Sequence, residues 1–140
     1  MDGEVANNVI TDNYIGVIPC AIPDSSAVMP RSNVAYTMIA GFHWDIHDNT
    51  VENNFIGILL YDGAKECVVR NNDCKNNARI DIELGKYHAP NESSLGVSFP
   101  LAVTQYNTVN IGSYPNVNVR DCGWSNVVIG TTAIKDGDCF

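Results

Sequence analysis

Residues 45–61 read DIHDNTVENNFIGILLY. Moved back by 41 positions, the stretch lands on EVANNVITDNYIGVIPC at 4–20; moved forward by 23, it lands on VVRNNDCKNNARIDIEL at 68–84. The three blocks align without a gap. Self-similarity at a period of roughly 20–50 residues marks a stacked repeat architecture. In columns, Val5/Ile46/Val69, Ile10/Val51/Cys74 and Ile18/Leu59/Ile82 are apolar, while Asn8/Asn49/Asn72 and Asn13/Asn54/Asn77 are asparagine throughout. This spacing is neither helical nor a two-residue alternation. Short strands that turn a corner every few residues would produce it, and a step of 23 residues suits one coil of three such strands.

Asparagine at a corner has two physical reasons. It tolerates the left-handed backbone conformation, and identical amides stacked at the interstrand spacing can hydrogen-bond along the stack. Gly16 and Gly57 share a column where close backbone approach is expected, with Ile80 in the third block.

Outward from the blocks the pattern loosens. The offsets of 41 and 23 leave 18 extra residues (41 − 23) between Cys20 and Asp45. The segment 21–44 reads as a loop or a degenerate coil, with Val34–Ile39 as its strand. Residues 85–99 are turn-rich and read as a projecting loop. Beyond them, Asn107-Thr108-Val109, Val117-Asn118-Val119 and 125–130 read as further short strands. The whole chain, 1–140, reads as one domain, and the first block's start at Glu4 fits a fragment of a longer protein or assembly.

Composition narrows function. The net charge is −8 with only 8 Lys and Arg among 140 residues, so no basic patch for nucleic acid is expected. No signal peptide is visible, and Phe55–Tyr61 is far too short an apolar run to span a bilayer. The five cysteines show no zinc-ligand spacing and read mostly as reduced thiols.

The stretch HDNTVENNFIGILLYDG (47–63) resembles the right-handed parallel β-helix repeat of pectin-lyase-like proteins. The likeness covers 4–20 and 45–84 clearly and 100–134 weakly. It implies an all-β solenoid, a right-handed parallel β-helix of roughly five to six coils. The same coil serves pectate and pectin lyases, polygalacturonases, alginate epimerases, periplasmic copper-site maturation proteins and phage tailspikes, so fold alone does not assign function. The resemblance implies a polysaccharide as partner and, for a tailspike-like appendage, a homotrimer found on a virion or outside the cell.

Three outward groups are candidates. Asp45, His47 and Asp48, with Arg70 one coil away, look like the Asp-x-His-Asp stretch of alginate epimerases, where proton abstraction beside a carboxylate is the chemistry. Ile46 stands where those enzymes have Pro. Asp81 and Glu83, flanking Ile82 and with Asp62 near in sequence, form a second carboxylate pair of the glycosidase or cation-binding kind. No cofactor is implied beyond a cation such as calcium, which such a pair would hold. Val17, Pro19, Ile58 and Leu60 form an outward aliphatic stripe that a loop or another subunit would cover. Trp44, Tyr87, His88, Tyr106, Tyr114 and Trp124 are the rings available to stack on sugars or to close a core edge. Asn91-Glu92-Ser93 matches a glycosylation sequon, read as chance. Three readings follow: a tailspike-like module that binds or processes a surface polysaccharide, a lyase, hydrolase or C5-epimerase, and a shaft without ligand.

Overall fold

A computed structural model describes residues 3–19, 43–60, 64–85 and 104–135. The described residues form twelve strands and no helix. The first circuit runs through β1 (Gly3–Ala6), β2 (Val9–Thr11) and β3 (Ile15–Val17). The second runs through β4 (Trp44–His47), β5 (Thr50–Glu52) and β6 (Ile56–Leu60). The third runs through β7 (Val68–Arg70), β8 (Asp73–Lys75) and β9 (Ile80–Leu84). β10 (Thr108–Asn110), β11 (Val119–Asp121) and β12 (Val127–Ile129) follow. Each of the first three circuits adds one strand to each of three parallel sheets, and the later strands extend two of them: sheet A is β1-β4-β7-β10-β12, sheet B is β2-β5-β8, and sheet C is β3-β6-β9-β11. The protein is therefore all-β with parallel strands in stacked sheets, an arrangement compatible with a parallel β-helix. The expected strand at 34–39, the projecting loop at 86–99, Asp62, Tyr87, His88 and the sequon lie outside the described residues.

The corners divide the two roles expected of asparagine. Left-handed backbone falls on Asn7, Asp48 and Asn71, on Asp12, Asn53 and Asn76, and on His43, Glu66, Tyr106 and Ser125. At the first two corners the ladder asparagine is the next residue. Asn8 gives its backbone and side-chain N–H to Asn49 Oδ1 at 3.0 and 3.1 Å, and Asn49 does the same to Asn72 Oδ1 at 3.1 and 2.9 Å. A second ladder runs Asn13–Asn54–Asn77. A third, Asn107–Asn126, has no counterpart in the three aligned blocks. Each rung satisfies groups that burial would otherwise leave unpaired, at about 1–3 kcal/mol apiece.

The blocks align without a gap only as far as the second ladder. Asn54 and Ile56 are two apart, whereas the paired Asn77 and Ile80 are three apart. One extra residue precedes β9, and a one-residue slip exchanges the faces of a strand. The inward column is thus Val17/Ile58/Ile82/Val119, with Leu60 beside Leu84, and not Ile18/Leu59/Ile82. The expected outward stripe is corrected accordingly: Ile58 and Leu60 belong to the core and Val17 packs against it. Leu59 joins Ile56 and Ile80 in a second apolar cluster with Ile15 and Phe55. All five residues of β6 and of β9 are buried, as expected of a parallel sheet covered on both faces. The register also places Asp81, not Ile80, opposite Gly57. A β-carbon at Gly57 would run into the Asp81 carbonyl oxygen, so glycine lets the next circuit approach.

Among the described residues Cys67 and Cys74 are free and buried, and burial pushes both thiols up. Cys122 is disulfide-bonded, with its partner outside the described residues.

Candidate functional site

Sheet A carries one outward column through Glu4, Asp45, Val68, Thr108 and Val127, and another through Ala6, His47, Arg70, Asn110 and Ile129. Ile46, Val69 and Val109 between them point into the core, which fixes the orientation of both columns. Adjacent strands lie about 4.8 Å apart, so a long side chain reaches diagonally to the previous circuit. Two diagonals form. His47 Nε2 lies 2.8 Å from Glu4 Oε1, and Arg70 grips Asp45 through Nε at 3.1 Å and Nη2 at 3.0 Å. The fork geometry of the second pair is the bidentate arrangement that arginine makes with a carboxylate.

His47 is the hub. Its Nδ1 lies 2.8 Å from Asp48 Oδ2, and its side chain is only 12% exposed. Asn71 donates to the other Asp48 oxygen, Oδ1. The hydrogen bonds to Asp48 and then Glu4 raise the imidazole above the ordinary histidine value of 6.5. The same contact with His47, helped by Asn71, holds the Asp48 carboxyl below its usual range, and Asp45 raises the Arg70 guanidinium. With a carboxylate at each nitrogen, both N–H groups of the imidazolium are engaged. Such a ring orients carboxylates well. While it holds its proton, it has no lone pair with which to take one from a substrate.

The structure thus brings Asp45, His47, Asp48 and Arg70 together on one outward face. Glu4 and Asn71 complete the group, and sequence reasoning missed both. The aligned columns held the signal for Glu4, since it shares a column with Asp45, but the diagonal reach of His47 is invisible in a column.

Asp81 and Glu83 stand apart from that face and are not solvated, at 5% and 0% exposed. Asp81 Oδ1 accepts from Asn77 Nδ2 at 2.8 Å, and its Oδ2 accepts from the Asn118 backbone N–H at 3.0 Å. It ends the second asparagine ladder. Asp121 ends the third in the same way, accepting from Asn126 Nδ2 at 2.9 Å and from Lys135. Burial pushes Asp121 up, but the bonds from Lys135 and Asn126 outweigh it and hold the carboxyl below the ordinary range. Glu83 lies 3.5 Å from Arg120 Nη1 and 3.7 Å from Arg79 Nε. Both Asp81 oxygens accept N–H groups, and Glu83 faces two guanidinium groups, so each carboxylate of this pair is engaged within the fold. No group of three His, Cys, Asp or Glu able to hold a metal occurs among the described residues.

No protein-family model matches the chain, and neither a curated protein nor a solved structure does. The class that the coordinates define is an all-β protein of stacked parallel sheets with a charged outward face on sheet A.

Proposed function

We propose that the chain is a right-handed parallel β-helix module that binds a polysaccharide, as part of a tailspike-like appendage, along the outward face of sheet A. The observation that carries this reading is the row Glu4, Asp45, His47 and Arg70, held by mutual ion pairs on a rigid parallel sheet. The Asp45–Arg70 fork and the His47 contacts preorganise the face, and preorganisation lowers the entropic cost of binding an oligosaccharide. The doubly engaged imidazolium favours binding over proton abstraction. In an appendage of this kind three copies assemble, and the exposed Val127 and Ile129 on β12 are apolar side chains that such a contact would cover.

Calorimetric titration with neutral and uronate-containing oligosaccharides tests the reading. Binding that weakens at least tenfold in Arg70→Ala and in Asp45→Asn is the expected result. Retention of no glycan by the wild-type chain leaves a shaft without ligand. Turnover of a uronate polymer that is lost in His47→Ala replaces binding with catalysis. Sedimentation at the mass of three chains is expected, and a clean monomer at working concentrations removes the trimer.

A further inference from the structure

The corner that leads from sheet C back into sheet A carries a second group of side chains that the His47 face does not use. Lys65, Gln105 and Trp124 are in parallel register there, so their side chains share one side of the stack at a spacing of about 4.8 Å. Tyr106 follows Gln105 in the left-handed conformation, with φ at 58°. Its ring meets the Trp124 indole edge-on, with centroids 5.8 Å apart and planes at 62°. Tyr106 is 51% exposed and Trp124 60%. The other two described rings from the sequence reading, Trp44 and Tyr114, pack against the core instead. Gln105 is only 8% exposed. Its side-chain amide makes no hydrogen bond among the described residues, and its polar atoms still reach solvent.

The exposed aromatic pair is the part of this corner that the fold itself does not use. The left-handed conformation of Tyr106 belongs to the corner itself, since His43, Glu66 and Ser125 adopt it in the same stack. An aromatic pair that seals no core leaves apolar area in water. An amide that reaches solvent without a protein partner offers both a donor and an acceptor to a ligand.

The geometry points to a saccharide subsite at this corner. The Trp124 face stacks on the C–H face of one pyranose ring, Tyr106 forms the side wall, and the Gln105 amide hydrogen-bonds a ring hydroxyl. The sugar unit is uncharged, because a chain of net charge −8 does not favour a polyanion. The inference rests on the carbohydrate reading above and adds the place where one unit sits. From Tyr106 to Asn110 the chain advances four residues, about 13 Å, so a short glycan spans from this corner across the sheet A face.

The test is calorimetric titration of the full chain with neutral gluco-, manno- and galacto-oligosaccharides, alongside thermal unfolding of each variant. One of these sugars binds the wild type, and Trp124→Ala and Gln105→Leu each weaken it roughly tenfold or more. Tyr106→Asn weakens it as well, while its unfolding midpoint holds or rises, because Asn accepts the left-handed conformation. A merely structural Tyr106 would lower the midpoint in Tyr106→Asn and leave affinity alone, which overturns its place in the subsite. Sugar binding that depends on Arg70 but not on Trp124 or Gln105 overturns the subsite and leaves the sheet A reading standing. Binding of no sugar overturns both. A lower sedimentation mass in Trp124→Ala without any sugar binding makes the aromatic pair a contact between copies and overturns the subsite.

Discussion

Sheets A and C are built from the same circuits, yet they treat their charged residues in opposite ways. On sheet A one face meets water. Its charged side chains pair diagonally on that face and remain partly exposed, free to meet a ligand. Sheet C is covered on both faces, and its carboxylates are taken up by the fold itself: Asp81 and Asp121 end asparagine ladders, and Glu83 lies between Arg79 and Arg120. A carboxylate in a repeat protein is therefore a site candidate only once its side of the sheet is known.

Substitutions can break or sharpen this contrast. The largest effect is expected at Glu83→Ala, which leaves two mostly buried guanidinium groups facing each other. Breaking a buried ion pair by removing one partner costs about 3–5 kcal/mol, read as a lower urea midpoint. Next is Asn54→Ala, which removes the acceptor for both N–H groups of Asn13 and the three hydrogen bonds that its own amide N–H groups donate, to Ile10 O, Glu52 O and Asn77 Oδ1; about 2–3 kcal/mol is expected in the same assay. Asp81→Asn is smaller, about 1–2 kcal/mol, because the amide oxygen keeps one donor while its NH2 group opposes the other. On sheet A the expected outcome reverses: Arg70→Ala leaves the midpoint close to wild type and acts on glycan binding.

The smallest effect is the pH dependence of the His47 cluster. The folded imidazole is raised above 6.5, so the folded state holds its proton more tightly than the unfolded chain does. That contribution is complete below 6.5 and is lost as pH rises through the raised value. Asp48 has the opposite sign. Its carboxyl is lowered from 3.8, so its contribution is present above 3.8 and is lost as pH falls through the lowered value. A histidine NMR titration of His47 should therefore give a midpoint above 6.5 that falls in Asp48→Asn.

Much of the fold was legible in the sequence, because stacked asparagines and apolar columns are constraints that each circuit must meet again. Val5/Ile46/Val69 and the two asparagine ladders lie where the columns put them. The third strand of each circuit was misread. A single extra residue before Ile80 is silent in an ungapped alignment, since Ile58-Leu59-Leu60 is apolar in either register. Only the pairing of Ile58 with Ile82 decides it. The burial of Asp81 and Glu83 was hidden for another reason: they flank inward Ile82 as expected, but their side of sheet C is covered as well. Asp45, His47 and Arg70 lie on one side of sheet A where the columns put them, because they occupy outward columns of two adjacent circuits that align without a gap. Their ion pairs were not legible, because they run diagonally between columns.

Hydrogen–deuterium exchange, with and without a saturating oligosaccharide taken from the titration panel, tests the central claim most directly. The account predicts added protection in β4 and β7, the strands of Asp45, His47 and Arg70, and none in β6 or β9. Protection confined to β6 and β9 would contradict it and return the functional role to the carboxylates of sheet C.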